Sequence, residues 1–167
     1  MRKAKPWLIS IPSLKQGENR LSFELDIEEL GGTSHEVSEN PSFRELVGPI
    51  GVKLSIIRTG SKLMVSGRIA FTADLQCALC GKGFRRSFSE QLASEFIEEG
   101  DAAAANKELD WEDLNQDLVQ GNVLNLIGLV HDAIHLAIPI APKCRPDCKG
   151  VCPVCGADLN EGTCRCG

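Results

Sequence analysis

The sequence predicts an α+β fold: an antiparallel β-sheet, either a meander or a partly closed barrel, with one principal C-terminal helix and a cysteine-rich zinc-knuckle tail. Three observations carry that expectation. Leu63, Val65, Gly67, Ile69, Phe71, Ala73 and Leu75 share one parity while Lys62, Ser66, Arg68, Thr72, Asp74 and Gln76 take the other, the period-two signature of a long strand with one buried face. Leu126, Ile127, Val130, Ile134 and Ala137 recur at helical spacing, with Asn125 placed to cap the first turn and Pro139 to end the last. Beyond Pro139, six of the eight cysteines fall among few large apolar side chains, a composition that needs a metal to fold.

The remaining elements follow from the same periodicities. A chain of 167 residues holds one domain and a short appendage; the expected division is 1–140 for sheet and helix and 141–167 for the tail. A first strand includes Trp7, Ile9 and Ile11, and a second carries the alternation Leu21, Phe23, Leu25, Ile27. Val52, Leu54 and Ile56 lead into the long strand across Thr59, Gly60 and Ser61, a hairpin connection. Phe84, Phe88, Leu92 and Phe96 fit a strand or a helical stripe, and the tight Cys-x-x-Cys-Gly reversal before them favours the strand. Glu98 to Asn106 has no clear apolar face and reads as a mobile acidic connection.

Composition excludes several classes. Hydrophobic content of 43% and charged content of 25% exclude disorder throughout. The longest apolar stretch, Leu124 to Ile138, is broken by Asn125, His131, Asp132 and His135, short of the roughly 20 residues of a membrane span. The apolar run Trp7 to Ile11 is too short for a secretory core, so a cytoplasmic location is expected. Charge is segregated: residues 46–89 carry +6 and residues 90–132 carry −10, within a net charge of −5. An acidic total argues against indiscriminate nucleic-acid binding, yet a local basic face can still bind.

Cysteines in a reducing compartment point to metal or redox chemistry. Cys77-Ala-Leu-Cys80-Gly81 and Cys152-Pro-Val-Cys155-Gly156 are one device used twice, two thiolates on a tight turn closed by a glycine. Proximity groups Cys152, Cys155, Cys164 and Cys166 around one zinc ion. Cys77, Cys80, Cys144 and Cys148 are then left for a second, which would pin the tail to the sheet. One or two structural ions are expected, each closed by four sulfurs with no open position for catalysis. A thioredoxin-like role for Cys77 and Cys80 lacks the βαβ context it needs.

Two further patterns carry weaker chemistry. His131-Asp-Ala-Ile-His135 puts two histidines on one helix face, as in a zinc protease, but Asp132 replaces the glutamate and no third ligand has recognisable spacing. Lys82, Arg85 and Arg86 interleave with Phe84 and Phe88, a mixture suited to phosphate contact and base stacking, although core phenylalanines and solvated cations explain it more simply. The acid pairs Glu98/Glu99 and Glu112/Asp113 sit in polar sequence and read as solvated charges.

Cys77-x-x-Cys80 at the end of a long strand, Leu136-Ala-Ile-Pro139-Ile-Ala-Pro142 leaving a helix, and Cys148-Lys-Gly-Val-Cys152-Pro-Val-Cys155-Gly-Ala-Asp-Leu-Asn160 together resemble the YceD-like large ribosomal RNA subunit accumulation proteins. Asp132 stands where those proteins usually have glutamate. The resemblance implies a non-enzymatic bacterial or plastid factor for large-subunit ribosomal RNA accumulation and ribosome assembly. Its implied partners are large-subunit ribosomal RNA, the assembling large subunit or a ribosomal protein, with neither membrane nor small-molecule substrate. On this reading the basic strands from Lys53 to Arg86 face RNA, with Lys82, Arg85 and Arg86 as contacts. The alternatives are a zinc-stabilised protein adaptor and, more remotely, a thiol redox protein or zinc hydrolase.

Overall fold

The computed structural model describes residues 5–30, 40–98, 116–119, 121–164 and 166. Its strands are β1 (Leu8–Ser10), β2 (Gly17–Leu25), β3 (Phe43–Leu46), β4 (Ile50–Thr59), β5 (Lys62–Gln76), β6 (Gly83–Glu98), β7 (Gln116–Val119) and β8 (Val123–Asn125), followed by helix α1 (Ile127–Ala137). The main sheet has the order β2-β4-β5-β6-β7, and β1 pairs with β8 in a separate ribbon.

β5 and β6 are the frame on which the other strands are laid. β5 alternates strictly over its 15 residues, β6 buries Phe88, Leu92 and Phe96 at every second position of its inward face, and their antiparallel ladder runs from Lys62↔Ile97 to Gln76↔Gly83. The other edge of β5 is covered in two parts: β4 pairs with residues 62–70 and β3 with residues 73–75. Thr59↔Lys62 closes the expected hairpin, with Gly60 at φ +62°, a left-handed conformation that glycine adopts without strain.

The sheet is mostly, not wholly, antiparallel. β7 runs parallel to β6, pairing Glu95↔Gln116 through Glu98↔Val119. A parallel neighbour requires a crossover of a dozen or more residues, and residues 99–115 supply the length. The expected acidic connection, apart from Glu98, lies outside the described residues, as do Glu99, Glu112 and Asp113. Glu98 itself meets Arg58 at 3.1 Å. That guanidinium also donates to the carbonyls of Ile11 and Leu14, tying the end of β4 to the N-terminal turn.

Other expected boundaries shift by one or two residues. β1 stops at Ser10, and buried Trp7 and Ile11 flank it. β2 ends at Leu25, and Ile27 opens a 3-10 turn. Helix α1 begins at Ile127 with Leu126 at the cap position, while Asn125 Oδ1 accepts the Ile127 N–H at 3.1 Å. The asparagine thus satisfies a free donor of the first turn from one residue further out.

One core lies between the inner sheet face and α1. Leu54, Ile56, Val65, Ile69, Leu92 and Phe96 share one buried cluster with Val130 and Ile134 of the helix, and Phe71 stacks on Phe88 with centroids 4.9 Å apart. Gly67, opposite Leu54, lets β4 and β5 approach closely: a Cβ there would lie 2.1 Å from the Lys53 carbonyl oxygen and 2.8 Å from Leu54 Cα. Backbone must move to admit it. Gly67→Ala is expected to destabilise the fold by about 1–3 kcal/mol, read as a lower urea midpoint at unchanged slope; an unaltered midpoint would show that the strands separate freely.

Candidate metal centres

The β5–β6 turn and the tail use one local geometry twice. Gly81 N–H donates to the Cys77 carbonyl and Gly156 N–H to the Cys152 carbonyl, both at 2.9 Å. Cys77 N–H reaches the Lys82 carbonyl and Cys152 N–H the Ala157 carbonyl, both at 2.8 Å. The two glycines have φ of +72° and +74°, the left-handed backbone that closes each turn. Each knuckle therefore holds two sulfurs on one side of a rigid loop.

Each pair meets a second pair. Cys77, Cys80, Cys144 and Cys148 form one cluster and Cys152, Cys155, Cys164 and Cys166 another, the sulfurs of each lying within 4.8 Å of one another. The same residues make up the set grouped by chain proximity and the four left over from it. In the inner cluster Cys77 lies 3.8 Å from Cys148 and Cys80 lies 3.8 Å from Cys144. A tetrahedral ion with Zn–S bonds of about 2.3 Å puts its sulfurs about 3.8 Å apart. In the outer cluster the contacts are 3.6 Å for Cys155 to Cys164 and 3.2 Å for Cys152 to Cys164. All are far beyond the roughly 2.05 Å of a disulfide. Donor set and spacing fit a four-coordinate metal ion in either cluster, and the 3.8 Å contacts of the inner one match the tetrahedral separation.

The clusters differ in setting. Cys77 and Cys148 are buried, whereas Cys155 and Cys166 are exposed. The inner cluster spans the sheet and the tail, and the backbone crosses with it: Ala78 N–H donates to the Pro142 carbonyl at 2.8 Å and Val151 N–H to the Leu79 carbonyl at 3.2 Å. Gly150 sits so close to Leu79 that a Cβ there would lie 2.9 Å from its carbonyl oxygen.

Electrostatics show what four adjacent thiols need. Burial pushes Cys77 up, but hydrogen bonds from the Cys144, Cys80 and Leu79 backbone outweigh it and bring the thiol to about 6. Burial and the neighbouring sulfurs push Cys144 up to about 12. In the outer cluster the backbone at Cys155 and Val154 draws Cys152 down to about 6, while the Cys155 and Cys164 sulfurs push Cys166 up to about 12. One thiolate per cluster raises the cost of the next unless a cation is present.

Two residues outside the thiol set hold the clusters together, and the sequence reading gave neither a role. Asn160 Nδ2 lies 3.6 Å from Cys148 Sγ, and its Oδ1 accepts the Lys149 N–H at 2.8 Å. Asp158 Oδ1 accepts from the Asn160 amide and side chain at 2.8 and 2.7 Å, and its other oxygen faces Lys82 Nζ at 2.8 Å. The Lys82 ammonium leads the contacts that hold the Asp158 carboxyl at about 2. An Asp-x-Asn behind a knuckle glycine is the signal that was present, since both side chains readily bond nearby backbone.

The three expected RNA contacts are dispersed. Lys82 is engaged by Asp158 and by Glu161 at 2.6 Å. Arg85 makes two hydrogen bonds to Asp74, at 2.7 and 2.9 Å. Arg86 lies on the opposite face of β6, over the Phe88 ring at 5.4 Å, and has no carboxylate partner among the described residues. His131 and His135 lie with ring centroids 4.6 Å apart, and neither joins a three-ligand cluster among the described residues.

The fold and the clusters define a β-sheet protein with two four-cysteine groups, each able to hold a metal ion. A family model described as Large ribosomal RNA subunit accumulation protein YceD matches residues 65–167, and the chain belongs to that family. It is 30% identical over 141 residues to the Arabidopsis thaliana protein named Large ribosomal RNA subunit accumulation protein YCED homolog 1, chloroplastic, covering 71% of this chain and 44% of that one. It is 26% identical over 160 residues to the Zea mays protein of the same name, covering 81% and 53%. An uncharacterized Mycobacterium tuberculosis protein is 28% identical over 110 residues, covering 66% and 51%. The chain spans about half the length of the curated relatives it matches. No solved structure matches. The family name describes accumulation of an RNA, not a reaction, and no described helix is long and apolar enough to cross a membrane.

Metal binding should release protons, because ligating thiols must ionise. At pH 7, Cys144 and Cys166 retain theirs until a cation arrives, so titrating zinc into weakly buffered apoprotein should release at least one proton per site, and affinity should rise with pH. Zinc uptake with no acidification would contradict the four-thiolate assignment. Asn160→Ala is expected to weaken metal retention at the inner site by about 10- to 100-fold in a chelator competition, leaving the outer site near its parent affinity.

Proposed function

We propose that this protein supports the accumulation of large-subunit ribosomal RNA as a non-enzymatic assembly factor that binds the RNA within the immature subunit. The observation that carries the reading is the family match over residues 65–167, which includes β6, α1 and all eight cysteines. Each four-cysteine cluster would hold one zinc ion, which supplies rigidity and no open coordination position. Cys77, Cys80, Cys144 and Cys148 would brace the tail against the sheet, and Cys152, Cys155, Cys164 and Cys166 would shape its end. The site of action proposed is a reducing compartment, the cytoplasm or its plastid counterpart, where thiols remain available to metal.

A second reading rests on the net charge of −5, to which two tetrathiolate zinc sites would add further negative charge. Such a balance favours a basic ribosomal protein as the direct partner, with the chain serving as an adaptor. Sedimentation separates the two readings. Tagged protein is expected to travel with large-subunit precursors on a sucrose gradient and to leave them after ribonuclease; retention on a ribosomal protein after complete digestion would favour the adaptor. Depletion in the source cell is expected to lower the ratio of large- to small-subunit RNA, and an unchanged ratio would overturn the reading.

A further inference from the structure

The outer face of the sheet carries an uncompensated pair of cations. Lys53 on β4 and Arg68 on β5 are directly opposed partners, both exposed. Like charges placed opposite one another on a sheet destabilise it. Elsewhere on this face Arg20 pairs with Glu18, Lys62 with Glu95 and Arg85 with Asp74, while Arg44 donates to the neutral Gln76 side chain. Lys53 and Arg68 have no ion-pair partner among the described residues. Their rung is completed by Ser22 and Gln91, both neutral. The nearest carboxylate by register is Glu24, one rung along on the edge strand opposite Gly51, and no ion pair joins it to Lys53.

The surroundings are also low. Ser66, Ala70, Ser89 and Ala93 flank the pair on the adjoining rungs, so the two long cations stand over a shallow open depression lined by Ser66, Arg68, Gln91 and Ala93. Among the described residues nothing stacks over it, and the backbone donors beneath it are used in the ladder. A free phosphate would therefore be held from one side only, whereas a polymer can add contacts along its length. Neutralising the pair would remove its repulsion and release counterions from the polyanion.

We infer that Lys53 and Arg68 form a phosphodiester-binding site on the outer sheet face, and that the ribosomal RNA backbone lies across it between β4 and β6. The inference rests on the RNA-binding form of the function proposed above. It moves the contacts away from Lys82 and Arg85, whose charges are already matched.

Filter binding of metal-loaded full-length protein to transcribed large-subunit ribosomal RNA, over potassium chloride from about 50 to 200 mM, tests it. K53Q/R68Q is expected to bind at least about tenfold more weakly and to lower the slope of log affinity against log salt by about 1.4 to 1.8, two contacts' worth. Its melting temperature should equal or exceed the parent's, since a repulsion has been removed. K143Q/K149Q, which removes the same charge from the tail, should keep the parent slope. Parent-like binding by K53Q/R68Q, or an equal loss in the tail variant, would overturn the site while leaving RNA binding standing. No salt-dependent binding by the parent would overturn the RNA reading and the site with it.

Discussion

The rest of the structure depends on four thiols that close across the chain. Cys80 and Cys144 are 64 positions apart and Cys77 and Cys148 are 71 apart, yet each pair of sulfurs meets at 3.8 Å. Closing a loop of that length costs chain entropy, and a tail with few large apolar groups cannot repay it by burial alone. A metal bound by all four sulfurs would supply the missing free energy at one point. The outer cluster is different in kind, because its contacts span only 9 and 12 positions and order the tail against itself.

Once the inner sulfurs are fixed, neighbouring interactions fall into register. The Ala78–Pro142 and Val151–Leu79 backbone bonds require the tail to lie alongside the β5–β6 turn. Asn160 couples the Cys148 loop to Asp158, and Asp158 reaches back to Lys82 in the β5–β6 turn. Acid should undo this in order. The depressed Asp158 carboxyl keeps its contribution above the ordinary carboxylate range and loses it as pH falls towards about 2. Thiolates protonate at higher pH, so a bound metal would be lost first.

Much of this was legible in the sequence where a local rule and the tertiary outcome agree. The β4–β5 hairpin and the length of β5 follow from unbroken alternation around Gly60, and the outer cysteine grouping follows from chain proximity, which leaves the other four cysteines for the inner one. β3 was not legible, because its burial pattern places only Phe43 and Leu46 inside and a register shift interrupts its pairing. The parallel direction of β7 is set by its partner and by crossover length, not by its four residues. Arg85 and Arg86 were grouped by adjacency, although strand parity sends them to opposite faces. Lys82 looked free because Asp158 and Glu161 are more than seventy positions away. Lys53 and Arg68 needed the register of two strands before their opposition could be seen.

A metal in the inner cluster would brace the tail at one end of a sheet whose outer face is the proposed RNA surface. Elemental analysis of protein purified without chelator tests the metal brace most directly, comparing the parent with C77S/C80S. Two zinc ions per chain are expected in the parent and one in the variant, with the outer site still filled. One ion in the parent, or two in the variant, would contradict a brace built from both the sheet turn and the tail.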